Sequence, residues 1–144
     1  MTYLKKLTKI IELSLAEDFS FDDATSDVTL DDSYMVDFSV RPRQNIMLSG
    51  IDCVQICFEI LKNSAKFQNS DLEYQIKKED GSFIANGDSV MIGSGNAKLI
   101  FAAERVILNC LQHMSGIATL TNQFVNKLAD PKIKIIDTRK TTIG

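Results

Sequence analysis

Apolar residues recur along this chain with two periods, and the periods sort it into helices and strands. Near the start, Leu4, Leu7, Ile10 with Ile11, and Leu13 to Leu15 follow steps of three and four, while Lys5, Lys6, Lys9 and Glu12 lie off that stripe. This pattern predicts an amphipathic helix over residues 2 to about 16. From Tyr34 to Val40 apolar and polar side chains alternate as in a half-buried strand. Arg41-Pro-Arg-Gln-Asn turns the chain into a second short strand, Ile46 to Gly50. Helical spacing returns between Asp52 and Leu61, with Val54, Ile56, Cys57, Phe58, Ile60 and Leu61 on the apolar face. Residues 72–100 hold short apolar runs with Gly81, Gly87, Gly93 and Gly95 between them. They predict a β-meander with glycines at its turns, of the hammerhead or lipoyl-like type; no lone lysine stands at a hairpin tip as in a carrier domain.

Residues 98–129 give the strongest helical signal. Leu99, Ala103, Val106, Cys110, Met114, Ile117 and Leu120 form one stripe, with Ile100, Ile107, Leu111 and Ala118 beside it. A helix apolar nearly all round is buried on more than one side. Ser115-Gly116 predicts a break in it or a close backbone approach. Asp130-Pro131 ends it, and Lys132 to Asp137 reads as a final strand.

Composition narrows the class. With 144 residues, 44% hydrophobic and 24% charged, the chain suits one compact domain and not a disordered segment. No apolar run approaches the ~20 residues of a membrane span, and the basic start lacks the apolar core of a secretory signal. Cys53, Cys57 and Cys110 are odd in number and match no metal-binding spacing, which predicts reduced thiols in a cytosolic compartment. Cys53 and Cys57 are four apart and share a helix face, where two thiols serve packing better than zinc.

The net charge of −3 is unevenly spread. Nine acidic residues lie between Glu12 and Asp37 without a Lys or Arg among them. The segment from Phe19 to Leu30 reads as a turn-rich loop and lacks the alternating acids, glycine and distal Glu of a calcium loop. Gly93-x-Gly95 lacks the third glycine of a dinucleotide fingerprint. Lys132 to Lys140 carries four bases against one acid. No long basic stripe suits a nucleic acid, whereas a small anion at this basic end would be well held.

Two segments resist a purely structural reading. Asp137-Thr-Arg-Lys-Thr-Thr-Ile-Gly144 follows directly on the last predicted strand, where α/β proteins place ligand-binding residues. Arg139 offers a planar fork for carboxylate or phosphate, Lys140 a point charge, and Thr138 a hydroxyl; the alternative is a basic tail. Glu104-Arg105 interrupts the apolar helix, so either both face solvent at its edge or Arg105 points into a ligand pocket or subunit interface. His113 is the sole histidine and has no facing nucleophile in the pattern, which makes a catalytic dyad a poor reading.

These residues carry a family resemblance. Glu104-Arg-Val-Ile-Leu-Asn-Cys-Leu-Gln-His-Met-Ser-Gly-Ile-Ala-Thr-Leu-Thr121, followed by Ile-Ile-Asp-Thr-Arg-Lys-Thr-Thr, closely resembles quinolinate phosphoribosyltransferase. Ala16-Glu-Asp, Asp23-Ala-Thr-Ser-Asp-Val-Thr and Leu48-Ser-Gly50 extend the likeness over nearly the whole chain. The resemblance implies a cytosolic glycosyltransferase (pentosyltransferase) of NAD biosynthesis. Such an enzyme converts quinolinate and phosphoribosyl pyrophosphate, with Mg2+, to nicotinate mononucleotide, pyrophosphate and carbon dioxide. The implied class is α+β: an α/β-hammerhead domain with a long buried helix over 1–130, then the first strand and active-site loop of an open, TIM-like barrel over 131–144. The resemblance also implies a homodimer in which Arg105 reaches the partner subunit's site. Thr138, Arg139 and Lys140 are then the residues that contact the quinolinate carboxylates and the phosphoribosyl donor.

The likeness stops in the loop after the first barrel strand, so the remaining strands, with the metal-binding acids and phosphate loops the family places there, have no counterpart. The expectation is therefore a partial enzyme, inactive alone and with no certain catalytic residue. Ile143 stands where many members have proline, which bears on loop stiffness. Two alternatives are a molybdenum-transport-associated paralogue and a stand-alone binding or oligomerisation module. The intact Asp137-Thr-Arg-Lys-Thr-Thr favours the quinolinate enzyme over the former.

Overall fold

The computed structural model describes residues 2–19, 30–128, 130, 132–138 and 140. Its elements run α1 (Tyr3–Phe19), β1 (Met35–Val40), β2 (Ile46–Met47), α2 (Ile51–Asn63), β3 (Leu72–Ile76), β4 (Phe83–Ile84), β5 (Met91–Asn96) and α3 (Ala97–Leu128). The result is a mixed α/β fold with two small antiparallel sheets, one ordered β1-β5-β3 and the other pairing β2 with β4. Helix α1 lies against both α2 and α3 through Leu7, Ile11 and Leu15, the buried part of the stripe its spacing predicts.

The meander expected over 72–100 is not what forms. β5 leaves β4 and inserts between β1 and β3, so strands consecutive in sequence are not neighbours in space. Gly81 and Gly87 sit in turns with φ of 84° and 85°. Gly93 and Gly95, expected at turns as well, instead occupy the central strand, where Gly93 faces Phe38 on one side and Tyr74 on the other. A Cβ on Gly93 would lie 2.7 Å from the Phe38 ring, so the glycine leaves room for that aromatic to cover the sheet. Phe38, Phe58 of α2 and Tyr74 then pack in sequence, with ring centroids 6.2 and 4.9 Å apart, and join the sheet to α2.

β5 runs straight into α3, and Asn96 manages the junction. Its Oδ1 accepts from the Leu99 backbone N–H at 3.1 Å, an N-cap bond, and its Nδ2 donates to the Asp32 carbonyl at 2.6 Å. α2 has no such side chain of its own. The Asp80 carboxylate, thirty residues on, accepts from the N–H groups of Gly50 (2.9 Å) and Ile51 (3.1 Å) and places negative charge at the helix start.

α3 continues unbroken through Ser115-Gly116, contrary to the expected break. A Cβ on Gly116 would meet nothing within 4 Å, so no backbone approaches there. Ser115 makes the close approach instead: its buried Oγ accepts from the Ser49 N–H (3.0 Å) and donates to the Ser49 carbonyl (3.1 Å). One turn further, Thr119 Oγ1 accepts from the Met47 N–H at 2.9 Å and donates to the Ser115 carbonyl. Two hydroxyls thus pair backbone groups beside β2 that its short ladder leaves open. Up to Ser115 the helix is buried on two sides, as expected. Beyond it, Thr119 still reaches β2, while Ile117, Leu120, Phe124 and Val125 are exposed.

Residues 132–138 form no strand among the described residues. Ile133, Ile135 and Ile136 have strand-like composition, yet they are exposed, and an extended segment with no neighbouring ladder cannot pair its N–H and C=O groups.

Candidate functional site

Arg105 stands on the outer edge of α3, where a break in the apolar pattern brings charge to the surface. Its Nη1 donates to Asp18 Oδ1 at 2.5 Å, 87 positions back on α1. The Arg105 side chain remains 74% exposed while Asp18 is 21% exposed, so the carboxylate is the anchored partner and the guanidinium the presented one. With one nitrogen held by Asp18, the other donors of the planar fork are free to meet a carboxylate or phosphate.

Asp18 was not among the sequence candidates. Its signal is positional: the buried stripe Leu7, Ile11, Leu15 continues at Asp18, three residues further on the packed face. Glu104, beside Arg105, lines an open groove of about 990 Å³ between α3 and the stretch from β1 to β2. Arg41 and Arg43 line the opposite wall. Arg41 is braced by hydrogen bonds to Ser39 Oγ (3.0 Å) and the Gly87 carbonyl (3.4 Å). The sequence reads this stretch only as a turn.

Thr138 and Lys140 are exposed, and the Lys140 N–H donates to Thr138 Oγ1 at 3.3 Å. Arg139 lies outside the described residues, as does most of the acidic loop from Phe19 to Leu30. No hydrogen bond or ion pair joins Arg105 to Thr138 or Lys140 among the described residues, so within one chain the structure does not assemble these candidates into one site. His113 is exposed. Cys53 and Cys57 are buried and Cys110 partly so, in keeping with a packing role. No three His, Cys, Asp or Glu side chains converge to hold a metal ion, and no helix is long and apolar enough to cross a membrane, among the described residues.

Residues 23–115 match the family model described as quinolinate phosphoribosyl transferase, N-terminal domain. The chain belongs to the quinolinate phosphoribosyltransferase family. A probable nicotinate-nucleotide pyrophosphorylase [carboxylating] of Bacillus subtilis is 39% identical over 85 residues, which are 59% of this chain and 29% of that protein. The chloroplastic nicotinate-nucleotide pyrophosphorylase [carboxylating] of Arabidopsis thaliana is 34% identical over 142 residues, 96% of this chain and 37% of that protein. The crystal structure of the nicotinate-nucleotide pyrophosphorylase from Ehrlichia chaffeensis superposes with a TM-score of 0.85 at 33% identity, covering 100% of this chain and 48% of that one. The chain therefore spans roughly a third to a half of the length of these family members.

Proposed function

We propose that the chain supplies the N-terminal part of a quinolinate phosphoribosyltransferase, joining quinolinate to phosphoribosyl pyrophosphate with release of pyrophosphate and carbon dioxide to give nicotinate mononucleotide. In this reading residues 1–130 are an α/β-hammerhead domain, and 131–144 are the first strand and site loop of a phosphoribosyltransferase barrel. The observation that carries it is Arg105, steadied by Asp18 and presented to solvent by a helix whose other side is buried and apolar. The names of the family members, which align over up to 96% of the chain, support the substrate class.

The chemistry asks for such groups. Quinolinate is a dianion and its co-substrate carries several phosphate charges, so binding gathers Arg and Lys side chains. Loss of carbon dioxide develops negative charge on the pyridine ring, and departing pyrophosphate carries more. Preorganised cations stabilise both without any covalent intermediate. In this reading Thr138, Arg139 and Lys140 take the substrates on one subunit, and Arg105 reaches in from its partner. The exposed apolar row Ile117, Leu120, Phe124 and Val125 supports a homodimer, since such a surface favours burial against protein. Mg2+ would accompany the phosphoribosyl donor. The described residues provide no cluster of acidic, His or Cys side chains to hold it. The reduced thiols support a cytoplasmic setting.

Quinolinate titrated into the chain is expected to shift the amide resonances of Arg105 and residues 138–140 with a dissociation constant of about 1 mM, an affinity of ~4 kcal/mol. Arg105→Ala and Lys140→Ala should each weaken it, and neither form should yield nicotinate mononucleotide alone. Saturable shifts confined to other residues, or turnover by the isolated chain, would count against the reading.

A further inference from the structure

Three thiols and a thioether meet where α2 crosses α3, and the proposed reaction uses none of them. The crossing is close: a Cβ on Gly50 would lie 3.3 Å from Met114 Sδ and 3.6 Å from the Cys110 carbonyl oxygen. One turn along α2, Cys53 Sγ lies 3.6 Å from Met114 Sδ and in hydrogen-bond contact with the Cys110 thiol. Cys53 has one S–H proton for two acceptors. Met114 Sδ takes it at 3.6 Å, and the Cys110 sulfur beside it stands as the second acceptor. Hydrogen bonding with Cys53 draws the Cys110 pKa below the ordinary thiol value, against the opposing effect of burial. The same bond, then burial, raises that of Cys53. Cys57, a turn further on, is pushed up to about 12 by burial and then by the charge of Cys110.

Access separates the three in the same order. Cys53 and Cys57 are buried and Cys110 is partly exposed, so a reagent from solvent meets Cys110 first. An accessible sulfur touching a shielded one is the arrangement of an attacking and a resolving cysteine.

We propose that Cys110 and Cys53 are a site of oxidative modification, closing to a disulfide between α2 and α3 on reaction with a hydroperoxide while Cys57 stays reduced. The Cys110 thiolate attacks one peroxide oxygen and the O–O bond breaks. Cys110 becomes a sulfenic acid, and the departing hydroxide takes up a proton to become water. Cys53 sulfur then attacks the Cys110 sulfur, the S–O bond breaks, and the hydroxyl leaves as water with the Cys53 proton. Together two thiols lose two hydrogens and two electrons, and one hydrogen peroxide is reduced to two waters. The new bond fastens the first turn of α2, with Gly50 and the end of β2, to α3 in the turn before Ser115.

The test treats the full chain with hydrogen peroxide, denatures it in N-ethylmaleimide and reads the intact mass and the linked peptides. The expected product carries one maleimide instead of three, is lighter by two hydrogens at the linked pair, and joins the Cys53 and Cys110 peptides. Closure should run about tenfold faster folded than in urea, because the fold holds the sulfurs together. Cys57→Ser should close at the wild-type rate, and Cys53→Ser should stop at a sulfenic acid on Cys110. Oxidation of Cys110 to sulfinic acid with Cys53 still free, a link to Cys57, or equal rates folded and in urea would overturn the proposal. The wild-type rate comparison decides the matter even where a serine variant fails to fold.

Discussion

Replacing Gly93 with alanine is expected to disrupt the three-stranded sheet, with the stability loss exceeding ~3 kcal/mol, the upper end of ordinary overpacking. The added Cβ would lie 2.4 Å from the Glu73 carbonyl oxygen and 2.7 Å from the Phe38 ring. The first obstacle is backbone of the neighbouring strand, which cannot swing aside as a flexible side chain would. Moving Phe38 also loosens its stack on Phe58, and with it the seat of α2 on the sheet. Gly81→Ala is the control: open space surrounds it, and only its φ of 84° opposes a side chain. That variant should lose roughly 1–2 kcal/mol. Urea denaturation of both, followed by tertiary-structure spectroscopy, checks the ranking. Equal midpoints for the two variants would mean the central strand tolerates the methyl group.

Ile11→Ala is expected to lose about 2–5 kcal/mol, the range for removing a large aliphatic side chain from a packed core. Ile11 is fully buried at the meeting of α1 with α2 and α3, in the same row as Leu7 and Leu15. Its effect should extend to the site, because α1 carries Asp18 to Arg105. Faster hydrogen exchange along α1 and loss of the ion pair should accompany the lower urea midpoint. A loss below ~1 kcal/mol would mean that α1 is not held by this row.

The helices are legible in the sequence because each has a long apolar stripe whose period only a helix satisfies. The Glu104-Arg105 edge is legible for a related reason, since a charge within an apolar stripe needs an explanation, and of the two readings the sequence leaves open the structure shows both residues exposed. Sheet order is not legible. β1, β3 and β5 are short runs whose pairing is set by the path of the chain, and a glycine at a turn looks the same in sequence as one under a neighbour's ring. That is why Gly93 and Gly95 read as turns. Ser115-Gly116 misleads in the same way: the small residues signal close approach, but the serine hydroxyl makes it and the helix continues. The Asp18–Arg105 pair joins residues too far apart for local periodicity. Lys132 to Asp137 has strand composition but no partner strand among the described residues, and pattern alone cannot supply one.

The most direct test of the functional reading is turnover by a chimera. Residues 1–140 of this chain would be joined to the remaining half of the Ehrlichia chaffeensis nicotinate-nucleotide pyrophosphorylase, which superposes on all of it. The chimera is expected to form nicotinate mononucleotide from quinolinate and phosphoribosyl pyrophosphate. Arg105→Ala or Lys140→Ala should then lower kcat/KM by the equivalent of ~2–5 kcal/mol, the scale for removing one member of a buried charge pair. A folded chimera that forms no product, or one whose kcat/KM is unchanged by Arg105→Ala, would contradict the account.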